Sequence, residues 1–572
     1  MSTASDAIAL EEVRETRHPT TGQVSSPDRT DGLLRSKSDP RDNVELGNKQ
    51  PIPAASRSSS SSSSGSSTAE TRVPAYSVFP KAQKWAIVLM AASSAFFSPI
   101  SATIFLPALT DIASDLRVSI NAINTTVTVY MVFQGLSPSL WGSMADVLGR
   151  RPLYLITLAI YICANIGLAL TQVYWLLMVL RCVQATGSAS MIALSQGTVA
   201  DIASPSERGG MVAIANSGAM LAPAIGPVIG SLLGQYLGWH AIFWFLVIAA
   251  SVLWVILFMF LPETLRSIVG DGSIEPKGIN KPFFNVITHK VYPPPTPGLE
   301  KPKKRTWKDI DWLAPVLVIF SEKDIALVLL YGAVLYSLTF AVIVTLASDL
   351  KDTYGLTTLQ DGLCYMAYGF GAVISSFVAR PVMDRDFAKV AEKASEKALA
   401  SGQHALPRNR EDIRDLTYFP IEKARLRSAP LVSSILVIAA LVYGWCIEYR
   451  VPLAVPLVMS FLVGFAGFII ITSVSTLIVD CYPDKAASIT ASNNLVRCCA
   501  GAALTGFIGP LIAAINPGPA FSLLSGFAAV FSIGALWLER RQGMRWRQKR
   551  AFRQQEQQEK KQQQSQSQSV DR

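Results

Sequence analysis

Two arginines stand inside long apolar runs, where a charge is costly to place. Arg181 lies in MVLRCVQATGSAS with no charged neighbour, and Arg497 lies in TASNNLVRCCAGA beside Asn493 and Asn494. A cation at mid-membrane costs at least about 2.5–3.5 kcal/mol, so its side chain must face protein or water. Arg181 is roughly six residues into its run, so two roles fit it: lining a cavity, or snorkelling its long stem to the interface. Arg497 is about a dozen residues in, where snorkelling is harder, and with Asn493 and Asn494 it reads as a cavity-lining or ion-paired cluster. Acids are missing at comparable depth. The first apolar run holds none, Asp111 and Asp115 fall just beyond it, and Asp361 sits near the end of another. Deep cations without deep acids suit an anionic substrate.

Three further groups of residues have chemistry in their spacing. The short segment GSMADVLGRRP, Gly142 to Pro152, separates two apolar runs. Its glycines Gly142 and Gly149 permit a sharp turn and close helix approach. Asp146 can face the positive N-terminus of a helix, and Arg150 and Arg151 can hold a carboxylate or anchor at lipid head groups. The run SGAMLAPAIGPVIGSLLG carries Gly218, Gly226, Pro227 and Gly230. Gly-Pro inside a helix frees backbone groups and bends it, and small residues admit a partner helix closely. PETLR, from Pro262, places Glu263 and Arg266 at the end of an apolar run, where they are expected to form a cluster on the inner surface.

These groups need long apolar elements to position them. The chain has 572 residues, 50% hydrophobic and only 16% charged, against about 25% charged in an average soluble protein. About twenty apolar residues cross the ~30 Å hydrocarbon core of a bilayer. Twelve such runs are present, at 85–107, 124–144, 153–170, 175–200, 210–236, 240–261, 326–348, 359–382, 429–447, 453–479, 486–514 and 519–538. Lipid forces each segment to satisfy its own backbone hydrogen bonds, which predicts an all-α polytopic membrane protein. The short patch Trp312–Phe320 is expected to lie at the interface before the seventh span.

An internal repeat divides the twelve into two sets of six. DIASPSERGG from Asp201 joins spans four and five, and DCYPDKAAS from Asp480 joins spans ten and eleven; ARPVMDRD, from Ala379, is a worn counterpart of the turn at Ala145–Arg151. Repeats of this kind place a binding site between the halves. The expected organisation is a polar, disordered N-terminal tail at 1–80 with a serine-rich run, a six-helix bundle at 81–261, and a central loop at 262–325. A second six-helix bundle follows at 326–538, with a long loop at 384–428 inside it, and a basic, Gln-rich tail at 539–572. Asp386–Ala400 has the charge spacing of a surface helix.

The basic residues fix the orientation. Arg150, Arg151, Arg208, Lys301–Arg305, Lys389 to Arg427 and Lys485 all fall on one side, which the positive-inside rule makes cytosolic, with both termini on that side. The net charge of +10 therefore reads as topology and tail charge, with no nucleic-acid partner implied. Seven cysteines lie in or at the ends of apolar runs without zinc-ligand or redox spacing, and read as packing residues. The spans hold no paired acids and no metal-ligand histidines, so neither an enzyme nor a metal or other cofactor is expected; His240 reads as structural.

The segment GSMADVLGRRP resembles the signature turn between the second and third helices of the major facilitator superfamily. Arg181, Gln184 and Gly187 match the fourth-helix motif of its proton-driven drug antiporters. The Gly218–Gly230 run is similar to the antiporter motif of exporters, with Ser231 standing where a second glycine is usual. PETLR with GDGSI, FFSPISATIFLPAL and TASNNLVRCCAGA resemble fungal drug:proton antiporters with twelve spans, nearest the quinidine-resistance and organic-acid exporter group. The likeness covers roughly 80–540 and leaves the tails unmatched. It implies two pseudo-symmetric six-helix bundles. It also implies that Gly142, Asp146, Gly149, Arg150 and Arg151 form a conformational latch, Asp146 meeting the helix that starts near Ala486. It places Arg181 in proton coupling.

The expected function is secondary active export of drugs, organic acids or secondary metabolites by alternating access and proton antiport. The expected partners are a small-molecule substrate, protons and the lipid bilayer. The expected form is a monomer in the plasma membrane, with the vacuolar membrane as the alternative. Uptake of a nutrient or organic anion, or a transporter-like sensor, are the competing readings. Gln134, Ser137, Asn216, Tyr365, Tyr368 and Asn493 are candidates for the wall of the chamber.

Overall fold

The computed structural model describes residues 77–284, 317, 319, 323–400, 419–482 and 486–570. The N-terminal tail, the Lys301–Arg305 run and most of the Trp312–Phe320 patch fall outside the described residues. Among the described residues twelve long helices carry the fold, joined by short helices and turns. The first six are α1 (Lys81–Thr103), α2 (Ile120–Leu148), α3 (Arg150–Leu170), α4 (Tyr174–Ile202), α5 (Pro205–Leu237) and α6 (His240–Phe260). The second six are α7 (Lys323–Tyr354), α8 (Thr358–Ala400), α9 (Ala429–Glu448), α10 (Ala454–Cys481), α11 (Ala486–Ile515) and α12 (Pro517–Val570).

Eleven of these helices are long and apolar enough to cross a membrane. The twelfth, α2, has 29 residues, about 43 Å at 1.5 Å per residue. It is diluted by Asn121, Asn124, Gln134 and several Ser and Thr, because one of its faces packs on α11 of the other half rather than on lipid. α6 is the opposite case: apolar all round, with Ile248, Val252 and Val255 left exposed on its outer flank, as a lipid-facing helix requires.

The packing pattern repeats with a shift of six helices. In the first half α1 packs on α4 and α5, and α3 on α4 and α6. In the second half α7 packs on α10 and α11, and α9 on α10 and α12. Two pairs join the halves, α2 with α11 and α5 with α8. This is the two-bundle arrangement that the internal repeat predicts.

Three element ends differ from expectation. The helix of α8 runs without a break through the predicted loop start to Ala400, so Asp386–Ala400 is the end of a span and not a separate surface helix. α12 likewise runs through the predicted tail to Val570. Buried ion pairs hold its extension to the second half: Arg547 Nε to Glu422 Oε1 at 2.8 Å, and Arg550 Nη1 to Asp324 Oδ2 at 2.9 Å. The first span stops at Thr103, and the chain continues through a 3-10 turn at Leu106–Ala108 and a short helix at Leu109–Asp115.

Candidate functional site

The early end of α1 creates the surroundings of Arg181. A helix leaves its last four carbonyls without internal partners and carries partial negative charge there. Ser101 lies in that last turn, and its carbonyl oxygen accepts from Arg181 Nη1 at 3.2 Å. The same Nη1 donates to Gln184 Oε1 at 2.6 Å, one turn along α4. The guanidinium sits between two aromatic faces, 3.8 Å from the Phe105 centroid and 4.2 Å from that of Tyr130, an arrangement that favours a cation by its ring quadrupoles. Arg181 is 1% exposed, so it does not snorkel. Among the described residues no carboxylate pairs with it, and its Nε and Nη2 have no partner.

A shell of hydrogen bonds fixes this arginine. Gln184 Nε2 donates to Asn165 Oδ1 at 2.7 Å, and Asn165 Nδ2 to the Tyr161 carbonyl at 2.8 Å. The Tyr161 and Ser101 hydroxyls meet at 2.6 Å. Tyr130 donates to the Ser98 carbonyl at 3.2 Å, and Gln134 Nε2 to Ser98 Oγ at 3.2 Å. Sequence reasoning singled out Arg181, Gln184 and Gln134 but missed Phe105, Tyr130, Tyr161 and Asn165. The i, i+4 spacing of Tyr161 and Asn165 was the available signal.

The second arginine lies across the seam between the halves. Arg497 Nη2 donates to Asn494 Oδ1 at 2.8 Å, and the guanidinium lies 4.8 Å from the Tyr336 centroid on α7. Its Nε is buried without a partner. Asn494 Nδ2 donates across the seam to the Gln134 carbonyl at 3.0 Å, while Asn493 turns to Ser475 Oγ within its own half, at 3.2 Å. One polar chain therefore runs from Arg497 through Asn494, Gln134, Ser98 and Tyr130 to Arg181. Glycines let the backbones meet there: a Cβ on Gly135 would lie 3.0 Å from Cys498 Cβ, and one on Gly501 2.6 Å from Met131 Cε. Of the other expected wall residues, Tyr365 is spent on a hydrogen bond to the Ile343 carbonyl at 2.8 Å and is 1% exposed. Ser137 bonds the Thr186 carbonyl at 2.7 Å, and Asn216 accepts from Gln196 at 3.4 Å. Tyr368 is 5% exposed.

The fifth-helix run joins α5 to both α1 and α8. A Cβ on Gly218 or Gly230 would run into the carbonyl oxygens of Ala92 and Ile104, and one on Gly226 would lie 2.8 Å from Thr103 Oγ1. On the other face Ser231 and the Pro227 carbonyl press on Gly362 of α8. At the same end of the bundle, Lys351 Nζ of α7 bridges to Asp111 Oδ1 at 3.0 Å and Thr110 Oγ1 at 2.7 Å. Thr358 Oγ1 donates to Asp111 Oδ2 at 3.0 Å, and the Leu359 N–H to Gln235 Oε1 at 2.7 Å. These bonds close the two halves together at the end opposite the Gly142–Pro152 turn. Two acids that the sequence reading passed over or set at a helix end are buried near them. Asp349 Oδ2 accepts from Tyr443 at 3.1 Å, and Asp361 is 1% exposed with its Oδ1 unpartnered.

At the turn itself, Gly149 has φ +111°, and its small size makes room for Glu263. That carboxylate is 2% exposed and accepts four backbone N–H groups. Those of Arg150, Thr264 and Leu265 each lie 2.9 Å from Oε1, and that of Arg151 lies 3.2 Å from Oε2. The two from Arg150 and Arg151 belong to the start of α3, where an anion is favoured. Burial nonetheless pushes the Glu263 carboxyl above its ordinary range, against those four donors. Arg150 bridges Asp146 at 2.9 Å and Asp201 at 3.0 Å. Arg151 donates to the carbonyls of Phe258, Leu261 and Ile279, and Arg266 Nε to the Asp201 carbonyl at 3.0 Å. Gly142, expected to share the turn, lies within α2, and nothing stands within 4 Å of where its Cβ would be. In the second half Asp480, the repeat partner of Asp201, takes Arg425 at 2.8 Å, while Arg380 of the worn motif reaches Asp384 at 3.7 Å on the surface.

The sequence profile of the Major Facilitator Superfamily matches residues 91–505. The chain is 36% identical over 481 residues to citrate exporter 1 of Aspergillus niger, covering 83% of this chain and 89% of that one. It is 37% identical over 511 residues to MFS-type transporter R5 of a Phoma species, covering 88% and 93%. It is 34% identical over 485 residues to MFS-type transporter phiD of a fungal species, covering 84% and 72%. Among solved structures, the human organic anion transporter MFSD10 superimposes with a TM-score of 0.52 at 18% identity, covering 80% of this chain and all of that one. The match to MFSD10 extends to the fold alone.

Proposed function

Since this chain belongs to the major facilitator superfamily, we propose that it exports small organic anions, di- and tricarboxylates foremost, by alternating access coupled to proton antiport. The observation that carries this reading is the pair of deep arginines, Arg181 fully buried with Nε and Nη2 unpartnered and Arg497 half-buried with Nε unpartnered, joined by one polar chain across the seam. The guanidinium N–H donors left free are of the kind that bind a carboxylate. The name of the Aspergillus relative points the same way, and makes citrate the first substrate to test.

The basic turn Gly142–Pro152 sets the cytosolic side, with both termini there, and the plasma membrane is the site of export. The bonds of Lys351, Thr358 and Gln235 then close the outer mouth. The Gly149–Glu263–Arg150–Asp146 cluster is the latch that engages when the inner mouth shuts. Asp361, buried and half-unpartnered beside the Lys351–Asp111 pair, is the group placed to carry the proton. Taking up a proton there removes a buried charge that outer closure would otherwise isolate.

Purified protein in liposomes with an imposed pH gradient tests both parts. Labelled citrate should accumulate, a lipophilic cation such as tetraphenylphosphonium should not, and Arg497→Gln should abolish the citrate signal. Asp361→Asn should abolish gradient-driven movement while leaving citrate–citrate exchange. Transport of the cation with citrate ignored would overturn the anion reading; gradient-driven transport by the Asn variant would overturn the proton assignment.

A further inference from the structure

A cavity of about 650 Å³ lies between α9 and α12, at the end of the second half that shares a face with the Gly142–Pro152 turn. It is of the size that holds a small ligand, and it lies away from the seam and from both deep arginines. Its apolar wall includes Val437, Ile438, Ile533 and Trp537, of which the last three are 57%, 71% and 54% exposed on the flank of the bundle. Its charged end carries Lys423, Arg540 and Arg541, and among the described residues no acid lines it. Of the neighbouring acids, Glu422 holds Arg547 at 2.8 Å and Asp386 faces Arg427 at 3.7 Å, while Glu539, next to Arg540, is buried with its Oε2 unpartnered and does not line the cavity. Arg540 is fixed by donating to the Leu426 and Arg427 carbonyls, and Arg541 lies 4.3 Å over the Trp537 ring. Ser532, which lines the cavity and is 3% exposed, has a hydroxyl with no partner.

We propose that this groove is a binding site for an anionic phospholipid of the adjoining leaflet. The exposed apolar wall takes an acyl chain along Val437, Ile438 and Ile533. Lys423 and Arg541, with Arg540 behind them, take the phosphate and its anionic head group. Ser532 offers its free hydroxyl to the glycerol ester region. The three-cation, no-acid mouth selects an anionic head group over a zwitterionic one, and the long apolar wall selects a lipid over free phosphate.

The full-length protein, purified in mild detergent and titrated with phosphatidylserine, phosphatidylcholine or inorganic phosphate under native mass spectrometry, tests this. Phosphatidylserine should give one adduct that survives activation, and phosphatidylcholine should not. Lys423→Gln with Arg541→Gln should weaken that adduct by about fivefold per cation, on the order of 25-fold for the pair. Ile438→Trp, which fills the chain groove and leaves the cations alone, should remove it as well. Equal retention of phosphatidylcholine, displacement by millimolar phosphate, or undiminished binding by either variant would overturn the proposal.

Discussion

Replacing Gly149 by alanine should damage this protein far more than a single methyl suggests. The residue holds φ +111° and ψ 156°, a region that costs a side-chain-bearing residue about 1–3 kcal/mol. The added Cβ would stand 2.5 Å from Glu263 Oε2 and 3.1 Å from its Cδ. A free glutamate could swing aside, but this one is held by four backbone N–H groups at 2.9–3.2 Å. Giving up two such charge-assisted bonds costs about 1.5 kcal/mol each at the low end. The sum is about 4–6 kcal/mol, a lowering of the melting midpoint of about 3–5 °C for a chain of this length, at about 2.1 cal/mol/K of unfolding entropy per residue. Intrinsic-fluorescence melts of the detergent-purified protein would read it. In a Glu263→Ala background the clash with the carboxylate is gone and only the end of the Asn280 side chain stays close, at 3.0 Å, so Gly149→Ala should cost little beyond its backbone share of about 1–3 kcal/mol, a non-additivity that a double-mutant cycle exposes. A Gly149→Ala protein that melts within about 1 °C of wild type, or one that loses as much with Glu263 removed, would refute the reasoning.

Gly230→Ala should force α5 off the Ile104 carbonyl, at about 1–3 kcal/mol or more for overpacking, seen as a lower melting midpoint and poorer yield; Ser231→Gly, which relieves contact with Gly362, should be tolerated. Arg181→Lys keeps the charge but loses the planar stack on Phe105 and Tyr130, so citrate transport in liposomes should fall at least tenfold while the helical circular dichroism signal is unchanged. The Lys84 ammonium, 3.1 Å from Glu207, holds that carboxyl below its ordinary value of 4.5. A depressed carboxylate stabilises above its unfolded pKa and ceases to as pH falls through the folded one, so the difference in melting midpoint between wild type and Glu207→Gln should be constant above about pH 5 and shrink progressively as pH falls below the ordinary glutamate value.

The apolar runs, their number and their repeat were legible because lipid leaves a segment little choice: twenty apolar residues must be a helix, whatever surrounds them. The turn at Gly149–Arg151 and the small-residue run of α5 were legible for a related reason, since only glycine fits a positive φ or a backbone pressed on a carbonyl. α8 and α12 show where that logic stops. Hydropathy ends both spans where the charges begin, yet helix propensity and, for α12, the ion pairs of Arg547 and Arg550 carry the backbone on. The sequence also marked Arg181 and Arg497 as costly, but not what makes either tolerable. That depends on residues about 50 to 360 positions away: a carbonyl left free where α1 stops at Thr103, the rings of Phe105 and Tyr130, the Gln134 carbonyl offered to Asn494. Periodicity reports which face of a helix is apolar. Which helix lies against that face, and which of its orphaned polar groups meets the arginine, is decided only when the twelve helices pack.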